Sequence, residues 1–454
     1  MRRNVLCSIV VLAAYGVASA QAKKPDKSPG GATDKRLEQL LADLADETNH
    51  QRRYDAYLVL QRERSVAALP AIVETLPRCG PQGQSLGLSL LMSYPADVGH
   101  PALRKLLDRK SPLLEVGAAA VLFRSGDQSS VEHIVQPLAR GDIAPALKSA
   151  MLNRIYGIRE PKISAAVRSL IVPESDSSVL DAALNHLLQV EDRESQGKIA
   201  ALLAAPSVRD DTKALASAFA FALGDTNQAD AVASAVRSGG GNLLVRIQQY
   251  LQKTVRLPEP ILQAITEIAE KSEVGYHVQT AIGLLAQHGS GKEIALFKKL
   301  LDHKNAQVAK AALEAIQKSG AGLPVDALRR LLASEQVSLA LAAADGLRKA
   351  DDPSGLPRVL ELLKSGATER AEAARVLGNF RHPSVIPVLI EALLDAEPGV
   401  RSAAEQGLTR LLPNLFPYRR FDMASTGYAA NGTPSARAEA VQRIRAWWDA
   451  HRAK

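Results

Sequence analysis

Cysteine is nearly absent, with only Cys7 and Cys79 in 454 residues. Cys7 lies in a leader-like segment, so the remaining chain has one thiol, no internal disulfide, and only packing to hold it together. Cys79 itself reads as a small buried apolar residue. Aromatics are also scarce, at 4% with two tryptophans, so a hydrophobic fraction of 46% rests mainly on Ala, Leu, Val and Ile. Small and straight-chain residues lose little rotamer freedom in helices. Stretches poor in aromatic and β-branched residues argue against large sheets. Past residue 20 there is no apolar run long enough to span a bilayer. The nine histidines show no metal-ligand spacing and no His-Glu-x-x-His, so no metal and no cofactor is called for. Asp210-Asp211 and Asp351-Asp352 stand beside turns, where solvated acids and caps are the ordinary reading.

Residues 1–20 read as a cleavable secretory signal. Arg2 and Arg3 form the positive end, residues 5–17 the apolar run, and Ala18-Ser19-Ala20 the small-x-small cleavage site. The Arg2-Arg3-Asn4-Val5-Leu6 string has a twin-arginine flavour, but so short a basic region fits an ordinary signal better. Cys7 lies inside the apolar run, not at its end where a lipid anchor would need it. The expected location is therefore periplasmic or secreted. Removing Arg2 and Arg3 lowers the formal net charge from +8 to +6, a mild bias spread along the chain and weak grounds for nucleic acid. Residues 21–34, rich in Lys, Pro and Gly, read as a disordered linker.

From residue 35 the text becomes periodic. Leu-Leu pairs close a helix at Leu300-Leu301, Leu331-Leu332, Leu362-Leu363 and Leu393-Leu394, a constant step of 31 residues. Earlier copies stand at Leu106-Leu107 and Leu202-Leu203. Some 15 residues before each pair, an Ala-rich helix ends on an aliphatic residue: Ile316, Leu347, Leu377 and Leu408, with weaker copies at Leu122 and Leu60. Two marks per step define an Ala-rich A helix and a Leu-rich B helix. Breakers such as Asp352-Pro353-Ser354-Gly355 and His382-Pro383-Ser384 separate A from B. Small Ala side chains let neighbouring A helices approach, while Leu fills the groove between layers. One helix pair cannot bury its own apolar face, so pairs must stack. The expected fold is all-α, an α-solenoid of about a dozen antiparallel helix pairs over 35–413, less regular around 206–255.

This pattern resembles the short bacterial HEAT-like repeats, also called PBS-lyase HEAT-like repeats, and the resemblance covers nearly all of 35–413. The step is shorter than the roughly 40–47 residues of long HEAT and armadillo units, and the TPR and ankyrin signatures are missing. The resemblance implies a superhelix whose B helices line a concave surface, serving as a non-enzymatic protein-binding scaffold. It also brings two alternatives, a chromophore lyase and, at greater distance, a nucleic-acid-binding HEAT-like protein. Export argues against both.

Residues 414–454 break the pattern. Phe416, Tyr418, Phe421 and Tyr428 fall in a loop, Thr433-Pro434 starts a helix, and Val441, Ile444 and Trp448 share one face of it. This segment resembles the tail of some exported bacterial HEAT-like proteins. It reads as a cap on the last repeat, with Tyr418, Arg419, Arg420 and Phe421 as a rival aromatic-basic docking site.

Three strings imitate catalytic or phosphate-binding motifs. Gly83-Gln84-Ser85-Leu86-Gly87 matches a nucleophile elbow, yet a loop and not a strand precedes it, placing Ser85 in an A helix. Gly289-Ser290-Gly291-Lys292 is half of a phosphate-binding loop, with Glu293 where Ser or Thr should hold magnesium. Gly239-Gly240-Gly241 reads as a flexible joint between repeats, with anion binding at the following helix as the sharper alternative. The remaining candidates are basic pairs before the Leu-Leu marks: Arg104-Lys105, Lys298-Lys299 and Arg329-Arg330. These should stack into a stripe on the B helices, facing a protein or peptide partner of acidic character and engaged by a monomer.

Overall fold

The computed structural model describes residues 30–107, 111–365, 369–416 and 421–452, with the backbone alone over 30–34. The expected signal and most of the expected linker lie outside these residues. The first helix begins at Gly30, inside the stretch read as linker. The fold is an all-α stack of helix pairs, with no strand among the described residues.

The chain divides into two compact units, 1–137 and 138–454. In the first, α1 (Gly30–Ala45), α2 (His50–Glu63), α3 (Leu69–Thr75), α4 (Pro81–Met92), α5 (Ala96–Leu107) and α6 (Pro112–Arg124) alternate B and A. The division falls within α7 (Glu132–Ala139). The second unit runs through α8 (Pro145–Arg154), α9 (Pro161–Ser169), α10 (Ser177–Val190), α11 (Gln196–Ala204), α12 (Asp210–Ala222), α13 (Ala229–Gln252) and α14 (Glu259–Lys271). It continues with α15 (Gly275–His288), α16 (Ile294–Leu300), α17 (Ala306–Ser319), α18 (Val325–Leu331), α19 (Val337–Lys349) and α20 (Leu356–Lys364). It closes with α21 (Arg370–Leu377), α22 (Val385–Ala392), α23 (Pro398–Leu415) and α24 (Pro434–His451).

The A helices start where polar caps dictate. Asn49, Asp176 and Asn305 accept an N–H from the first turn of α2, α10 and α17, each such cap contributing about 1 kcal/mol. A second device starts the B helices. Asp127, Asp225 and Asp352 each accept the N–H two residues on, turning the chain through one tight helical turn.

In the second unit the two rows pack differently. Each A helix brings its backbone against the next through α10, α12, the second arm of α13, α15, α17, α19, α21 and α23, whereas the backbones of consecutive B helices from α14 to α22 stand apart. Ala312, Ala340, Ala344, Ala373, Ala374 and Ala404 are buried in the A row, which is what permits the approach. At one point backbone meets backbone, glycine on glycine: a Cβ on Gly378 would lie 2.7 Å from the Gly407 Cα. A row with the shorter spacing lies on the inside of a bend. In this unit the A row is the closely packed one, and the binding face is taken up below.

The irregular stretch around 206–255 has a local cause. Helix α13 bends at Gly240, whose φ of 61° and ψ of −156° suit almost no other residue. A Cβ on Gly241 would lie 2.2 Å from the His277 ring. The glycines read as a flexible joint thus form a packed bend that divides α13 into a B arm and an A arm.

The C-terminal segment covers the last pair. Ala440, Val441, Ile444 and Trp448 of α24 join the core of α19 to α23. Phe416 meets both tryptophans edge-on, with ring centroids 6.1 Å from Trp447 and 5.6 Å from Trp448. Buried Arg401 donates to the carbonyls of Ala430 (2.7 Å), Asp395 (2.8 Å) and Ala396 (2.7 Å), and the Tyr428 hydroxyl donates to the Leu393 carbonyl at 2.6 Å. Burial pushes the Tyr428 phenol up to about 12, so it stays a donor.

The glycine contact is open to test. Gly378 has helical φ and ψ, where Gly→Ala ordinarily stabilises by about 0.4–1 kcal/mol. Gly378→Ala should instead lower stability by about 1–3 kcal/mol through overpacking, measured by urea denaturation. A gain would show that the close approach is not a constraint.

Candidate functional site

Because the A row is the closely packed one, the residues of interest are those that A helices project away from the core. On α19 these are Ser338, Ala342, Asp345 and Arg348, partly exposed, and Lys349, exposed, while the other positions from 339 to 347 are buried. The corresponding set on α21 includes Glu372 and Arg375, and that on α23 Gln406, Arg410 and Asn414.

Near the middle of the unit this face is tied across two repeats. The Arg246 guanidinium donates to Asp211 at 2.9 Å and reaches over α12 to Asp181 at 2.6 Å. The Gln249 side-chain amide and the Tyr250 hydroxyl both donate to the Asn185 side-chain oxygen, and Lys253 donates to the Leu188 backbone carbonyl at 3.2 Å. Tyr250 is fully buried, which drives its phenol well above the usual range. Burial also raises Asp181 above an ordinary carboxylate, against the pull of Arg246. Asp211 is lowered, because hydrogen bonding and charge from Arg246 outweigh its own burial. Asp211, read as a solvated acid or cap, is thus a partner in an ion cluster with Asp181, Arg246 and Arg209, the last bonded to Asp211 at 2.7 Å. Sequence spacing hides this cluster, since Asp181, Asp211 and Arg246 come from three helices and Arg246 follows the bend.

At the other end of the unit, α19, α21 and α23 enclose a cleft of about 360 Å³ lined by Asp345, Arg348, Lys349, Arg375, Arg381 and Arg410, with Asn379 and Asn414. Asp345 accepts from Arg348 at 2.9 Å and Lys349 at 3.0 Å; these bonds outweigh its burial and hold it below the usual carboxylate range. Glu372 grips Arg375 through both oxygens, lowering its own pKa and raising that of Arg375. Lys349 also donates to Gln317 of α17 at 2.8 Å. Among the described residues Arg381 and Arg410 have no acidic partner.

The basic pairs singled out from the sequence lie elsewhere. Arg104 binds Asp127 at 2.7 Å and Arg329 binds Asp352 at 2.7 Å. Both are the same contact one unit type apart: an arginine near the end of a B helix holds the aspartate that caps the following A-to-B turn. Arg330 pairs with Asp302 at 3.0 Å. Lys105, Lys298 and Lys299 are exposed at the ends of α5 and α16. Lys299 faces a cleft that also carries Glu259, Glu267, Glu270 and Glu293. The B row therefore presents structural ion pairs and mixed charge. Of the C-terminal candidates, Tyr418, Arg419 and Arg420 lie outside the described residues. Phe421 packs on Trp447 with centroids 4.8 Å apart.

The motif look-alikes resolve as packing. Ser85 sits in α4 with its hydroxyl donating to the Pro81 carbonyl at 2.8 Å. Its flanking glycines admit neighbours: a Cβ on Gly87 would lie 1.9 Å from Leu76. The Gly289–Gly291 loop is the turn from α15 to α16, and the Gly291 amide donates to Glu293 at 3.0 Å, so a carboxylate already occupies it. Cys79 is buried and its thiol is pushed up to about 11, leaving it protonated. Among the described residues no group of three or more His, Cys, Asp or Glu is placed to hold a metal, and no helix is long and apolar enough to cross a membrane.

Residues 325–409 match the family model described as HEAT repeats. No curated protein matches the sequence. Among solved structures, Kap95p in complex with RanGDP is 14% identical over 89% of this chain and 60% of that one, with a TM-score of 0.45. A Kap121p mutant is 12% identical over 91% of this chain and 54% of that one, with a TM-score of 0.41. The chain thus spans little more than half the length of these proteins.

The Arg246 cluster predicts a pH-dependent stability. Arg246→Met should cost about 1–2 kcal/mol at pH 7, a partly exposed pair being weaker than a buried one. Without its cation Asp181 rises further, so protonation relieves the variant. The loss should shrink as pH falls through the carboxylate range. Chemical denaturation at pH 7 and about pH 4 measures both terms, and an equal loss at the two pH values would exclude the cluster.

Proposed function

We propose that this protein is a non-enzymatic, protein-binding scaffold built of HEAT-like repeats, and that its second unit receives a partner on the inner, A-helix face. The observation that carries the reading is the cross-bonding of polar side chains between successive A helices, from Asp181, Asp211 and Arg246 to Gln317 and Lys349. A face held in this way loses little side-chain entropy on binding, which is the usual obstacle to affinity for a broad polar surface. The candidate nucleophile Ser85 and thiol Cys79 are both committed to packing, which supports recognition over chemistry. We further propose that the protein acts as a monomer outside the cytoplasm, after cleavage following Ala20, on the strength of the leader-like residues 1–20.

Photo-crosslinking in cells separates the two rows. A benzophenone amino acid at Ser338 or Gln406, on the A row, should give a discrete adduct with a partner protein. The same probe at Lys298 or Lys299, on the B row, should give none. Adducts from the B row alone would return the binding face to the outer helices. The mass of the purified protein's N-terminal peptide reports the cleavage: a start at Gln21 is expected, and a retained Met1 would remove the export proposal.

A further inference from the structure

The cleft between α19, α21 and α23 carries five cationic side chains, Arg348, Lys349, Arg375, Arg381 and Arg410, against the lining carboxylate of Asp345. Helix dipoles account for part of this excess. Arg348 and Lys349 lie in the last turn of α19 and Arg375 in the last turn of α21, where cations are favoured. They do not account for Arg381, which stands beyond the end of α21, or for Arg410, which lies inside α23. Three of the five are also held: Arg375 by Glu372, and Arg348 and Lys349 by Asp345. Arg381 and Arg410 are exposed, share the cleft with the Asn379 carboxamide, and have no acidic partner among the described residues.

We infer that this cleft is the anchor for an acidic, extended segment of a partner protein, with side-chain carboxylates seated between Arg381 and Arg410. The inference rests on the scaffold reading and names the chemistry of its partner. Spacing favours a chain of carboxylates over a single ion. Packed helices lie about 8–10 Å apart, and a chain in the extended polyproline II form advances about 9 Å per three-residue turn, with residues i and i+3 on the same side. Acids three residues apart therefore meet the cations of successive repeats. A guanidinium takes a carboxylate through two parallel N–H bonds, and fixing Arg375 and Arg348 with internal acids keeps the walls in place before the partner arrives.

Fluorescence anisotropy of the full chain with a labelled Glu-Ala-Ala-Glu-Ala-Ala-Glu peptide tests this. Binding should appear at about 50 mM salt and fade toward about 500 mM, as the screening length shortens. A peptide with Lys for Glu should not bind. The double variant Arg381→Gln/Arg410→Gln should weaken binding about tenfold or more with an unchanged circular dichroism spectrum, each exposed pair accounting for a factor of a few. Lys298→Gln/Lys299→Gln should leave binding unaltered. Equal binding of the Glu and Lys peptides would overturn the assignment, as would full affinity in the arginine double variant. Displacement of the peptide by inorganic phosphate at matched ionic strength would also overturn it, marking a free-anion site. Retained A-row crosslinks with no peptide binding would remove this anchor alone; loss of both would remove the scaffold reading too.

Discussion

The close approach of the A helices is the constraint on which the rest of the second unit depends. Alanine and glycine leave these helices free to pack backbone against backbone, while Leu-rich B helices are kept apart by their own side chains. The unequal spacing sets the A row apart from the B row. It decides which polar residues of successive repeats stand close enough to bond, and so which surface is preorganised. Gly378 against Gly407 is the extreme case, with no side chain on either helix at the point of contact.

A second constraint, electrostatic and local, sets the turns. An aspartate begins the turn into the B helix by accepting a backbone N–H, and an arginine from the preceding B helix neutralises it. Arg104 with Asp127 and Arg329 with Asp352 repeat this contact in the two units. Arg168 near Asp192, at 3.4 Å, is a looser version. Such pairs contribute modestly because they are partly exposed. Their consequence for function is larger: arginines that look available in the one-dimensional pattern are occupied. The unpaired cationic capacity of the surface is left with other residues, among them Arg381 and Arg410.

Where the repeat loses its regularity, polar chemistry takes over from packing. The bend at Gly240 brings the second arm of α13 near α10, and Arg246, Gln249, Tyr250 and Lys253 fill the gap over α12 with hydrogen bonds. Phe219 and Tyr250, both fully buried there, are large side chains in an otherwise aromatic-poor core. The C-terminal segment solves a different problem by the same means. The final pair has no neighbour to cover it, so Trp448, Phe416 and the carbonyl clamp of Arg401 close it.

Much of the architecture was legible in the residues themselves, because periodicity and breakers act locally. The 31-residue step, the Ala-rich and Leu-rich alternation, the turns at Asp352-Pro353 and His382-Pro383 and the helix after Thr433 all depend on neighbours within a few positions. The candidate site was not legible in that way. The basic pairs Lys298-Lys299 and Arg329-Arg330 stood out because they are adjacent in sequence, whereas Arg348, Arg375, Arg381 and Arg410 converge only through stacking. Likewise nothing near Asp211 announces Arg246, thirty-five positions away. By itself the sequence determined that helices form, where they break and that they must stack, since these follow from side-chain volume and backbone propensity. Only the tertiary structure decided which helices of different repeats are tied together and which charges remain unpaired, because both depend on distances between helices that no local pattern encodes.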